Sequence, residues 1–275
     1  MSDASSRRIA LLCSAVALLI TGCANEVLTT PVSQIVADRN AHMNSNEFSW
    51  AALEENVRRA VAAARVPAPA LPPPDLLIDR FVTRGSSSTV ARGLVSFKAV
   101  GDGLYHVLTE YQANEIPFRT NFALCYLGLD CLTHQSVIHS ARRGDGLFIT
   151  RKVDALTPGR HAPVEGAEYV IDREVTAKYE FRISLEPYRE RQVCRAGGRY
   201  PATRLHHKLA GEAVDLACEI HLRDVLQGRS RVTILIEYGI GIEVEQVSTG
   251  FISKVVVVDV PSLSGPAAPR GATAT

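Results

Sequence analysis

The chain has 275 residues, 46% of them hydrophobic and 21% charged, which is long enough to bury one substantial core. Its 30 basic and 29 acidic residues nearly cancel. No block of like charge is present that would track a phosphate backbone, so nucleic acid is excluded as a natural partner.

Taken from the amino terminus, Arg7 and Arg8 precede an apolar run, residues 9–20 (IALLCSAVALLI). Its length falls inside the roughly 7–15 residues of a secretory h-region and short of the about 20 that span a bilayer. Directly behind come Ile20, Thr21, Gly22 and Cys23. This order of basic, apolar and small-small-Cys resembles the signal peptide and lipobox of bacterial lipoproteins, over residues 7–24 only. The resemblance implies removal of residues 1–22, a diacylglycerol in thioether linkage on Cys23, and acylation of the new amino terminus. Ala24 stands where an Asp would favour retention in the inner membrane, so the resemblance implies sorting to the outer membrane and exposure on its periplasmic face. Each buried methylene contributes about 0.8 kcal/mol, so several acyl chains hold a protein on a membrane almost permanently.

Residues 23–46 are polar and without sustained period, and they are expected to form a tether with little fixed structure. Residues 47–65 then predict an amphipathic helix. Ser49 suits its N-cap. Trp50, Leu53, Val57, Ala60, Val61 and Ala64 share one face, and Glu54/Arg58 and Glu55/Arg59 are spaced as i,i+4 pairs on the other. The helix should end near Arg65, because Val66 precedes Pro67. Five prolines make residues 66–75 a polyproline-like spacer. The helix is expected to fold back onto the domain, the alternative being an arm that binds a partner.

From residue 76 to residue 260 the period changes from 3.6 to 2. In residues 169–185 the odd positions are apolar except Arg173, and the even positions are polar from Asp172 onward. Such alternation marks an antiparallel sheet with one wet face. Val214, Leu216, Cys218, Ile220 and Leu222 repeat it. Gly101-Asp102-Gly103 and Gly144-Asp145-Gly146 lie between strand-like runs and read as hairpin turns rather than Ca²⁺ loops, because further carboxylates are missing. The predicted fold is mainly β, an antiparallel sandwich or curled half-barrel with one accessory N-terminal helix. Residues 261–275, rich in Pro, Gly and Ala, are expected to be disordered.

Beyond Cys13 and Cys23, an even set remains: Cys125, Cys131, Cys194 and Cys218. In an oxidising compartment they read as two disulfides, and of the three possible connectivities the sequence-local one is favoured. A zinc site is the alternative, but the spacing lacks tight C-x-x-C pairs. No local signature of a protease, hydrolase or nucleotide enzyme is present. No cofactor and no metal are expected. His106 and His139 lie on the two hairpins and would meet if these packed together, whereas the adjacent His206 and His207 would point to opposite faces of a strand. Arg173, the lone charge on a buried stripe, needs an acidic or carbonyl partner or else lines a cavity. These features favour a non-enzymatic binding or scaffold protein taking an envelope protein or an apolar ligand, with Tyr179 and Phe181 as lining residues. An envelope hydrolase with its site assembled from distant strands is the alternative.

Overall fold

The computed structural model describes residues 31–141, 146–178 and 186–261. The lipobox and Cys23, Gly144 and Asp145 of the second Gly-Asp-Gly turn, Tyr179 and Phe181, and nearly all of the C-terminal tail lie outside them. Twelve antiparallel strands, each hydrogen-bonded to its sequence neighbours, form a closed barrel in which β1 (Leu76–Arg84) pairs with β12 (Phe251–Asp259). Between them run β2 (Ser87–Gly101), β3 (Leu104–Ala113), β4 (Ile116–Tyr126), β5 (Asp130–Ile138), β6 (Leu147–Leu156), β7 (Glu168–Lys178), β8 (Tyr188–Pro201), β9 (Glu212–Leu222), β10 (Val225–Leu235) and β11 (Ile240–Ser248). The expected antiparallel β class is present, but the sandwich or half-barrel is corrected to full closure. Alternation along a strand reports which side faces a core; it carries no information on whether the first and last strands meet.

The alternation itself is realised. On β7 Tyr169, Ile171, Val175 and Ala177 are buried, and on β9 Val214, Leu216 and Cys218 are buried between the exposed Ala217 and Glu219. The outer wall from β7 to β12 is ionic instead. Asp172 meets Arg189, Glu219 meets Arg229, and Arg231 bridges Asp215 and Glu245, which in turn reaches Lys254. A lipid-facing belt would not tolerate such a ladder at its middle.

The tether expectation is corrected from residue 32 onward. Helices α1 (Val32–Ala37) and α2 (Arg39–Met43) precede two 3-10 turns, Asn46–Phe48 and Trp50–Ala52, and then α3 (Glu55–Ala63). Ser49 caps the second turn by accepting from the Ala52 amide (3.2 Å), so the predicted continuous helix over 47–65 is divided. Val32, Ile35, Met43, Phe48, Leu53, Val57 and Val61 are all buried against Leu104, Phe122, Leu124, Tyr126 and Leu147 on the outside of β3–β6. The apolar residues of 32–48 are too sparse to show a period; contact with the barrel, not propensity, makes these short helices. Polar contacts fix the same layer: His106 lies 2.8 Å from the Phe48 carbonyl, His42 2.7 Å from Gln135, and Arg39 2.9 Å from Glu110.

The Pro-rich segment is a strap under one end of the barrel. Val66 lies against the β2–β3 turn, Pro69 against Gly239, and the Leu71 amide donates to the Glu237 carbonyl (2.8 Å). Gly103 has φ +72°, and a Cβ there would stand 2.8 Å from Val66 Cβ, so this turn needs glycine for both its conformation and the strap. The β4–β5 turn folds inward at the same end: the Leu127 amide donates to Gly103, and the Gly241 amide donates to Leu127, both at 2.7 Å. Ala202 and Leu209, from the β8–β9 connection, are buried there too. This closed end is the lower end of the barrel.

Candidate functional site

Above this plug the lumen changes character. Its lower half is filled by Leu76, Ile78, Tyr105, Leu235 and Ile240 on one side and by Leu216, Val232 and Ile234 on the other. Higher up, the inward positions are Arg80, Tyr111, Arg119, His134, Arg173, Glu190, Glu243 and Ser253, and the space between them is not closed. One cavity of about 330 Å³ is lined by Arg80, Tyr111, Phe118, Arg119 and Phe251 with Ala91 at its wall, and reaches the rim at Arg84 and Ser87. A second, of about 290 Å³, is lined by His134, Phe148, Thr150, Arg173, Tyr188 and Glu190. Both stand at the lower end of the size range of small-molecule sites, about 300–1,000 Å³.

Each polar side chain is placed by its strand. Arg80 on β1 donates to Ser253 on β12 (2.9 Å) and to the Tyr111 hydroxyl on β3 (3.5 Å). The second contact spans β2, which Gly93 makes possible: a Cβ at Gly93 would stand 3.0 Å from the Tyr111 ring and 3.2 Å from Ile78. Arg173 reaches across β6 in the same way, donating to the Cys131 carbonyl (2.7 Å) and pairing with Glu190. Burial works against the charge of Arg173, but Glu190 and Asp130 outweigh it and keep the guanidinium protonated. Both kinds of partner expected for Arg173 are therefore present, and the residue also lines a cavity.

His134 stands between two cations. Burial lowers its pKa, and Arg119 and Arg173 lower it further, so the imidazole is neutral at physiological pH. Glu243 on β11 goes the other way, since burial pushes its pKa up to about 7, only partly offset by Arg80. Arg119 is the unresolved charge of the group. Its Nε is buried with no hydrogen-bond partner, and no carboxylate lies within ion-pair distance of it among the described residues. Arg80 and Arg119 were not singled out in the sequence. Arg80 carries the signal that exposed Arg173, one charge on the stripe of Leu76 and Ile78, while Arg119 sits in a polar stretch with no such contrast.

The structure joins Cys125 to Cys131 and Cys194 to Cys218, the sequence-local pairing, which removes the zinc alternative. Both are cross-strand bridges near the plugged end, where Arg160 pairs with Asp130 and approaches Cys194 Sγ (3.5 Å). The histidines do not converge. His106 and His139 take separate partners, Phe48 and Thr120. His206 and His207 follow a 3-10 turn instead of lying in a strand, so their rings adjoin at 4.3 Å rather than pointing apart. A larger outer groove of about 480 Å³ runs past Tyr200, Asp215, Arg231 and Val256. Its acid is satisfied internally: the Tyr200 and Thr233 hydroxyls donate to Asp215 at 2.6 and 2.7 Å, with Arg231 beside it. Burial and Asp215 together push the Tyr200 phenol up to about 12.

Comparison with protein-family models, with curated proteins and with solved structures gives no match.

Proposed function

We propose that this chain is a lipid-anchored envelope protein that binds a small ligand in the upper lumen of its barrel. The observation that carries the reading is the contrast within one lumen. The lower half is packed to closure, while the upper half keeps two cavities lined by aromatic rings and convergent polar groups. A barrel of this kind is a rigid wall around a concave site, the arrangement by which barrels hold small ligands. The outer groove fits the role less well, because its charged groups already satisfy one another.

The membrane half of the proposal rests on Cys23 and the residues before it, with cleavage by a signal peptidase and fatty acylation of the exposed cysteine. The two disulfides suit an oxidising compartment such as the periplasm. Labelled palmitate is expected to enter the full-length product and to be lost from Cys23→Ala; equal labelling of both would remove the anchor. The ligand half is tested with Ala91→Trp, which places an indole into the first cavity. The neutral probe 4-phenylbutan-1-ol is expected to bind the full-length protein in nanodiscs and to lose at least about tenfold in affinity on that substitution. Unchanged binding would place the ligand elsewhere.

A further inference from the structure

The first cavity is lined by three guanidinium groups, Arg80, Arg84 and Arg119, and by no acidic side chain. Several arginines elsewhere in the fold are matched to carboxylates, Arg92 to Asp79, Arg173 to Glu190, Arg189 to Asp172 and Arg231 to Asp215, whereas unmatched ones such as Arg58 and Arg195 do not line this lumen. Among the described residues, none of the three lining arginines has a carboxylate within ion-pair distance. Arg80 is at least hydrogen-bonded, to Ser253 and Tyr111. Arg119 is half-buried, and its Nε is sealed from solvent with no hydrogen-bond partner among the described residues. Taking part of a guanidinium out of water without a counter-charge is costly, and an anion entering the cavity would offset that cost.

We infer that the cavity is completed by an amphipathic anion, an apolar or aromatic body ending in an oxyanion head, with the head against Arg119 and the body against Tyr111, Phe118 and Phe251. This inference rests on the lumen being a ligand site and adds the chemistry of what enters it. A guanidinium offers paired N–H donors that match the two oxygens of a carboxylate or phosphate. Tyr111 and Phe118 supply the apolar surface, their ring centroids 6.4 Å apart and tilted by 35°. Arg84 is exposed at the rim, where an approaching anion first meets positive charge. His134, held neutral by burial and by Arg119 and Arg173, adds no competing positive charge to the lumen. Glu243 attracts Arg80, and among the described residues no carboxylate pairs with Arg119.

The test uses full-length protein in nanodiscs, titrated calorimetrically with 4-phenylbutyrate, phenyl phosphate and the neutral 4-phenylbutan-1-ol, with empty nanodiscs as the blank for partitioning. Either or both anions should bind at least about tenfold more tightly than the alcohol, as expected for charge-assisted pairing in a partly dry site. Which anion is preferred identifies the head as carboxylate or phosphate. Arg119→Gln should remove that advantage, bringing anion affinity down to that of the alcohol for the same variant, and Arg119→Lys should restore part of it. Because the substitution deletes an unmatched, half-buried charge, Arg119→Gln should unfold at the same temperature as the wild type or higher. Alcohol binding as tight as both anions, or anion binding indifferent to Arg119→Gln, would overturn the inference. If the alcohol binding in that case is still abolished by Ala91→Trp, the lumen remains a ligand site of different chemistry. If none of the three probes binds, both readings fall.

Discussion

Glu243 shows how a single side chain in the lumen ties stability to pH. Its folded pKa, about 7, lies above the ordinary value of 4.5. The folded state therefore binds the proton more tightly than the unfolded state does. The sign follows: stability is highest below the unfolded value, falls as pH rises from about 4.5 to about 7, and is level above that. At about 1.36 kcal/mol per unit the penalty above pH 7 is at most about 3 kcal/mol, and less to the extent that lumen water screens the charge. Glu243→Gln should accordingly raise the stability at pH 8 and change it little at pH 4.5, as measured by urea unfolding at the two pH values. A variant destabilised at pH 8 would mean that the carboxylate has a stabilising partner instead. Arg173 is the contrasting residue. Its buried charge is matched by Glu190 and by the Cys131 carbonyl, so it serves as a structural tie at the edge of the site.

At the scale of elements, the two disulfides should differ in weight. In the chain-entropy account, closing 6 residues of separation between Cys125 and Cys131 contributes about 2.4 kcal/mol, and closing 24 between Cys194 and Cys218 about 3.5 kcal/mol. Paired Cys→Ala replacement should therefore cost more at Cys194 and Cys218, in urea midpoints compared at equal m-value; the reverse order would show that plugging by the β4–β5 turn dominates. These bridges were legible in the sequence because cysteine parity and spacing are local facts. The β7 and β9 strands and the buried face of α3 were legible for the same reason, since Val57, Val61 and Tyr169, Ile171, Val175 announce their period directly. Helices α1 and α2 were not. Val32, Ile35 and Met43 are too few for a moment, and their burial depends on Phe122 and Leu124 some ninety residues away. Part of the site was hidden similarly. Arg173 stood out against a hydrophobic stripe, but Arg119 becomes conspicuous only when the residues that share its cavity are known to lack a carboxylate.

For the whole molecule, closure is the decisive property. The pairing of β1 with β12 leaves no open edge, and the strap, the β4–β5 turn and the β8–β9 connection together seal one end. What remains is a vessel with one packed half and one hollow half, its outer wall charged along β7–β12 and covered by helices over β3–β6. Occupation of the hollow half is read most directly by crystallising the protein with 4-(4-bromophenyl)butyrate and locating the bromine by anomalous scattering. The account predicts a bromine peak in the lumen beside Tyr111, Phe118 and Phe251, with the carboxylate toward Arg119. A lumen without bromine, or a peak confined to the outer groove at Tyr200 and Val256, would contradict it.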